Sequence, residues 1–478
     1  MSANPNTTSS ARRPTDPAGP TGRLADWVAG LQLSDVPTDV QARAKHLILD
    51  GIACALVGAH LPWSKKAVDL VTAFEGSGSK TIIGWGQTTA GPPAALLNGT
   101  FIQAFELDDF HPGGPLHSAA VVIPSLMACA EHLGGVSGEQ FLLGAVAGFE
   151  VGPRVGMALH GAQMLSRGWH SGSVFGTHAS AVAAGVLLGL DAAQIEDALG
   201  LAGTQSGGLM AAQYEADCKR MHHGFSCRNG LYAALLAAGG YTGIKRVFER
   251  EYGGFLSVFG EGHDPDAGQI TAGLGTDWET HRIAIKPYAA MGALHAPLDG
   301  IFEIMTKRPL VAEEIESVDV DMSHASYHHG WWVLERPVTP IGAQMNVGYA
   351  LAAAILDGAA MVNQFSPERI NSDDVWALIP RITAHHDPAF DGGGPRSARV
   401  RVKLTDGSEL ESFVKSPRTI ANPLSNQEVV AKFRTLTDGI VEPRRQAAII
   451  EATLAIDTKP DASELFGLLA APVGAPFH

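Results

Sequence analysis

ARVRVKLTDGSELESFVKS, residues Ala398–Ser416, alternates apolar and polar side chains on both sides of Asp406–Gly407. That two-residue period, broken by a turn dipeptide, predicts a β-hairpin. The hairpin decides the fold because the chain around it reads differently. EIESVDVDMSHAS (Glu314–Ser326) alternates in the same way and predicts a half-buried strand. HRIAIKPYAAMGALHAPLDGIFEIM (His281–Met305) predicts a short strand, a turn and a helix. MNVGYALAAAILDG (Met345–Gly358) and PERINSDDVWALIPRI (Pro367–Ile382) predict helices between the strands. Residues 282–416 therefore read as an α+β unit.

Outside that unit the period is helical. QARAKHLILDGIACALVGA (Gln41–Ala59) spaces apolar residues three and four apart. Ser118–Gly134 and Ser180–Ala212 are rich in Ala, Leu and Gly and read as buried helices packed through small residues. Charges or helix breakers interrupt each within a membrane span's length, which favours core helices over membrane segments. After Asn422–Pro423 the helical pattern returns, with Ser425 and Glu428 set as a capping box. The expected architecture is mainly α with an inserted α+β domain. Its parts are a disordered tail over 1–22, a helical domain over 23–281 and 417–478, and the insert over 282–416.

The chain has 478 residues, 45% hydrophobic and 17% charged, which implies a large folded core. Its net charge of −15 does not suit nucleic acid or an anionic membrane surface. Four cysteines without a CxxC pair argue against a disulfide scaffold or a zinc ribbon, and reduced thiols predict a cytoplasmic protein. The first twenty residues lack the apolar stretch of a signal peptide.

Chemistry concentrates in a few places. ELDDFHPGGPLHSAA (Glu106–Ala120) holds three carboxylates and two histidines around a Pro-Gly-Gly turn. It reads as a metal site, an acid/base site for an anionic substrate, or a solvated loop. Asp109, His111 and His117 are legitimate metal ligands, but no HExxH or CxxC completes a motif. SRGWHSGSVFGTHAS (Ser166–Ser180) puts His170 before small residues that could start a helix and admit an anion. An isolated histidine such as His178 is better read as a core residue. CKRMHHGFSCRNG (Cys218–Gly230) packs Lys219, Arg220, His222, His223 and Arg228 together, either as a surface turn or as a carboxylate-binding knot. Lys286 and His295 follow in Arg282–Pro297, and Tyr327, three histidines and Arg336 in Ser323–Pro337. No P-loop, dinucleotide fingerprint or nucleophile elbow is present in the sequence. What remains is acid/base chemistry without a cofactor on a small polycarboxylate.

The order and spacing of ILDGIACALVGA, IIGWGQ, NGTFIQAFELDDFH, LHSAAVVIP, GWHSGSVFGTHASA, KRMHHGF, YGGF, IKPYAA and ERP resemble the MmgE/PrpD family from about residue 24 to 440. ELDDFH, GWHSGSVFG, CKRMHHGFSCRNG and HHGWW are most similar to its fungal cis-aconitate decarboxylases. The resemblance implies a helical domain with an α+β lid, a homodimer, a small tricarboxylate substrate, and neither cofactor nor metal. It places catalysis on His117, His170, Lys219 and Lys286. It adds Asp108, Asp109 and His222 or His223 as substrate-binding residues, with Tyr327 as a possible substitute for a pocket tyrosine of the mammalian members, and the acidic and cationic clusters themselves add His111 and Arg228. A histidine that the mammalian members carry after the lid lysine is matched here by Met291. The implied reaction is conversion of cis-aconitate to itaconate and CO2. Dehydration of 2-methylcitrate or citrate, decarboxylation of trans-aconitate and epimerisation use similar groups, and a non-catalytic carboxylate-binding protein is the alternative from another class.

Overall fold

The computed structural model describes residues 12–391 and 396–477. The expected tail lies partly outside them, at residues 1–11. Residues 12–22 depart from the expectation of disorder. Thr15 donates to Glu196 through its backbone (2.9 Å) and its hydroxyl (3.0 Å), and a helix already begins at Pro20 (Pro20–Gly30). Local composition cannot reveal a partner 181 positions away.

The helical expectation holds over most of the first half, interrupted by a short hairpin in which Lys80–Ile82 pairs antiparallel with Gln87–Thr89. Thr38–Gly58, Gly91–Gln103, Ser118–Leu133, Gly138–Ala158, Ser171–Leu187 and Cys218–Ala238 pack around one contiguous core that runs from Leu24 to Leu469. Close approach depends on glycine at one crossing that matters for the site. A Cβ on Gly224 would collide with the Leu96 carbonyl oxygen, so the Cys218–Ala238 helix meets Gly91–Gln103 backbone to backbone. Gly138–Ala158 is long and apolar enough to cross a membrane, but 89% of its apolar window is buried in the protein. Its two buried charged side chains find partners inside: Glu150 accepts from the amides of Glu279 and Thr280, and Arg154 donates to the carbonyls of Ala272 and Asp277. It is a core helix.

The hairpin forms as its period predicts: Ala398–Leu404 pairs antiparallel with Glu409–Val414, and Gly407 adopts φ +83° at the turn. Ile315–Met322 lies antiparallel beside Ala398–Leu404. A fourth strand, Ile382–His386, joins parallel to Ile315–Met322 and gives the order Ile382–His386, Ile315–Met322, Ala398–Leu404, Glu409–Val414. The sequence reading missed that strand, because its five residues end in His385–His386 and carry only two buried positions. The short strand expected at the start of His281–Met305 is only a single bridge, Ala284 opposite Phe110. After the sheet, Asn426–Thr437 and Pro443–Leu454 pack on Thr38–Gly58, and Ser425–Glu428 forms the capping box.

Candidate active site

The acidic segment leaves Gly91–Gln103 through Glu106, a non-glycine residue at φ +54°. Phe110 and Ala284 then exchange two backbone hydrogen bonds of 2.8 Å each. That clip holds the segment beside Lys286, two residues beyond Ala284. From behind, Lys432 donates to the Leu107 carbonyl (2.7 Å) and pairs with Asp50 (2.7 Å). Asp109 accepts from the amides of Ser118 (2.8 Å) and Ala119 (2.9 Å), capping the Ser118–Leu133 helix with a buried carboxyl. Burial, then the neighbouring Asp108, pushes Asp109 up to about 8.

Cys218–Ala238 carries the cationic knot. Lys219, His222 and His223 fall at i, i+3 and i+4 and share one helical face. His170 is placed by a second bridge, Trp169 opposite Leu209, and its amide donates to the Gly208 carbonyl (3.0 Å).

These elements enclose a cavity of about 690 Å³ whose lining includes Glu106, His117, His170, Lys219, Lys286 and Arg396. Glu106 is its electrostatic centre. It accepts from Lys219, from Lys286 at 2.8 Å and from Arg220 at 3.3 Å. Burial works to raise the Glu106 carboxyl, but Lys219, Lys286 and Arg220 together outweigh it and hold it well below the carboxylate range. Burial lowers Lys219 and Glu106 only partly restores it.

The histidines form a connected group. His117 Nδ1 lies 2.9 Å from Asp108 Oδ2, which orients the ring and leaves Nε2 as its remaining nitrogen. His170 Nδ1 and His222 Nδ1 are 2.8 Å apart, so one carries the proton that the other accepts. The rings of His117 and His223 meet edge to face at 4.7 Å. Burial, followed by Lys219 and neighbouring histidines, drives His170 well below its usual value; burial, His117 and Lys219 do the same for His223. Burial and Lys219 lower His222 to about 4. All three are neutral near pH 7. Ligand nitrogens of His117, His170 and His223 lie within 4.8 Å of one another, so these three imidazoles could also hold a divalent metal ion. No spacing in the sequence announces that trio, because its members come from three separate elements.

The four residues expected to be catalytic, His117, His170, Lys219 and Lys286, all line the cavity. Asp108, Asp109, His222 and His223 stand directly behind them. None of the seven expected substrate contacts is itself a lining residue, and three of them are engaged elsewhere. His111 is turned away, with Nδ1 accepting from the Gly114 amide (2.9 Å) and Nε2 facing Glu279 (3.0 Å). Arg228 lies over the Phe225 ring and bonds Asn229. Tyr327 packs into the core beside His328. His178, between Phe248 and Phe255, is a buried core histidine lowered to about 3 by desolvation. Glu106 and Arg396 were missed.

The MmgE/PrpD N-terminal domain matches residues 22–267, and the MmgE/PrpD C-terminal domain matches residues 288–458. The chain belongs to the MmgE/PrpD family. Among its relatives, the cis-aconitate decarboxylase-like protein oryM of Aspergillus oryzae is 43% identical over 94% of this chain and 97% of its own length. Cis-aconitate decarboxylase of Aspergillus terreus is 42% identical over 96% of this chain and 97% of its own. The human cis-aconitate decarboxylase is 26% identical over 95% of each. In this MmgE/PrpD chain the cavity draws on both matched domains, with Glu106, His117, His170 and Lys219 from the first and Met291, His329 and Arg396 from the second. Lys286 sits in the stretch between the two matches.

Proposed function

We propose that this protein is a cis-aconitate decarboxylase that releases CO2 and forms itaconate. The observation that carries the reading is a cationic, histidine-lined cavity in a chain 42% identical over 96% of its length to the Aspergillus terreus enzyme. Lys219 and Lys286 offer buried charge to substrate carboxylates, where low dielectric makes each contact strong. The carbon–carboxylate bond of the CH2–COO⁻ arm breaks, and its electron pair forms the new terminal double bond. The former double bond closes onto a proton delivered at the far alkene carbon, so one proton is consumed per CO2 released. His117 is the donor. It lines the cavity and its Nδ1 is engaged by the Asp108 carboxylate. His170 stands beside it as the partner that relays the proton, and an arriving trianion favours the charged form of every imidazole nearby. Desolvation of the departing carboxylate assists the step, since its charge is lost as CO2 forms.

The reading needs no cofactor, and the substrate is a small tricarboxylate. Residues 282–416 act as a lid over the helical domain of 23–281 and 417–478, the active unit is a homodimer, and the protein works in the cytoplasm. Support for the lid is the supply of Met291, His329 and Arg396 to the cavity from that unit.

Proton NMR of the purified protein with cis-aconitate tests the function. The two vinylidene protons of itaconate are expected. Itaconate from trans-aconitate alone would change the substrate, and loss of water from 2-methylcitrate without itaconate would replace the reading by a dehydratase.

A further inference from the structure

Arg396 opens the sheet strand Ala398–Leu404 from two residues upstream and lines the cavity. Its guanidinium lies 4.8 Å over the ring of Phe110, the residue that also makes the clip to Ala284. Desolvation lowers it to about 10, and no carboxylate offsets that among the described residues. The adjoining residues 392–395 are Gly-Gly-Gly-Pro and carry no acid. The contrast with the other cavity cations is sharp, because Lys219 and Lys286 both engage Glu106. A desolvated guanidinium with no anion is costly unless an anion arrives. His329, another lining residue, is lowered to about 4 by burial and then by Arg396 and Lys219, so the two cations act on one space. Gly292 makes room at that point, since a Cβ there would collide with Arg396 Nη1.

We propose that Arg396 is the specificity-determining residue of the cavity, binding the carboxylate of a tricarboxylate substrate that Lys219 and Lys286 do not hold. The proposal rests on the tricarboxylate reading above. Lysines are point charges, whereas the planar guanidinium grips a carboxylate through two parallel bonds and so fixes its direction. A ligand with three carboxylates engages both ends of the cavity, and a dicarboxylate engages only the Glu106 end.

The test compares wild type with Arg396→Gln, Arg396→Lys and Gly292→Ala. Calorimetric titration uses propane-1,2,3-tricarboxylate and glutarate, and steady-state kinetics use cis-aconitate. Loss of a charged bidentate contact predicts a rise of about thirtyfold in Kd for the tricarboxylate and in KM for Arg396→Gln. Glutarate affinity is expected to stay within about twofold, since it makes no use of Arg396. Arg396→Lys should recover part of the loss, and Gly292→Ala, which keeps the charge but displaces it, should lose part of it. Unchanged tricarboxylate affinity in folded Arg396→Gln, or an equal loss for glutarate, overturns the proposal. If Arg396→Gln does not fold, unchanged tricarboxylate binding by Gly292→Ala overturns it instead. Selective loss of tricarboxylate binding in a protein that makes no itaconate would retain the site and refute only the decarboxylase reading. Itaconate formation with unchanged Arg396→Gln kinetics would refute only the site.

Discussion

Replacing Glu106 by Gln keeps the shape of the side chain and removes the charge that three cations share. Glu106, Lys219, Arg220 and Lys286 are each at most 3% exposed. Removing one member of a buried ion-pair group costs about 3–5 kcal/mol, because the partners stay buried without compensation. An unfolding entropy of about 2.1 cal/mol/K per residue amounts to about 1 kcal/mol/K for this chain, so Tm should fall by about 4 °C at pH 7. The pH dependence has a definite sign. The folded Glu106 carboxyl lies below its unfolded value, so its contribution is present above the ordinary carboxylate pKa of about 4.3 and fades as pH falls through the folded value. The Tm gap between wild type and variant should therefore narrow in acid. Differential scanning calorimetry measures it directly. A second expectation separates this account from generic destabilisation: propane-1,2,3-tricarboxylate should raise the Tm of Glu106→Gln more than that of wild type, since it returns an anion to Lys219 and Lys286. An unchanged Tm together with equal ligand shifts would refute the role assigned to Glu106.

His117→Ala should lower itaconate formation at least about a hundredfold while the far-ultraviolet spectrum stays native, and normal turnover in the folded variant would remove His117 as the acid. Lys219→Ala should also cut turnover severely, read in the same NMR assay. Asp109 is protonated in both states below about pH 4 and titrates in the folded protein at about 8, so its contribution to stability declines as pH rises between those values. Asp109→Asn should flatten that decline, and parallel Tm–pH curves for the two proteins would contradict it. Exhaustive chelation should leave turnover unchanged. Loss on chelation with recovery on adding zinc would move the mechanism onto the His117–His170–His223 trio.

Periodicity made the hairpin and the long helices legible, because each is decided by neighbours within a turn or a pleat. Lys219, His222 and His223 were legible for the same reason, lying within five residues on one helix. Glu106 was in view, but its role depends on lysines 113 and 180 positions away. Arg396 gave no local signal, since its distinction is that no carboxylate among the described residues pairs with it. Thr15 is held by a glutamate far along the chain, and Ile382–His386 becomes a strand because Ile315–Met322 presents an edge to it. The direction of the His111 ring was not legible, because sequence shows which groups are near one another, but not which way a ring faces.

The fastening of Leu107 by Lys432 also bears on how the protein is made. A chain emerging from the ribosome displays the acidic segment early, yet its buttress arrives 325 residues later. Folding of the first helices can proceed from the N-terminus. The wall that carries Glu106 and Asp108 gains its final support only when the Asn426–Thr437 helix has been synthesised and docked on Thr38–Gly58. Nascent or C-terminally truncated chains should therefore acquire helical structure before they acquire the ability to bind substrate.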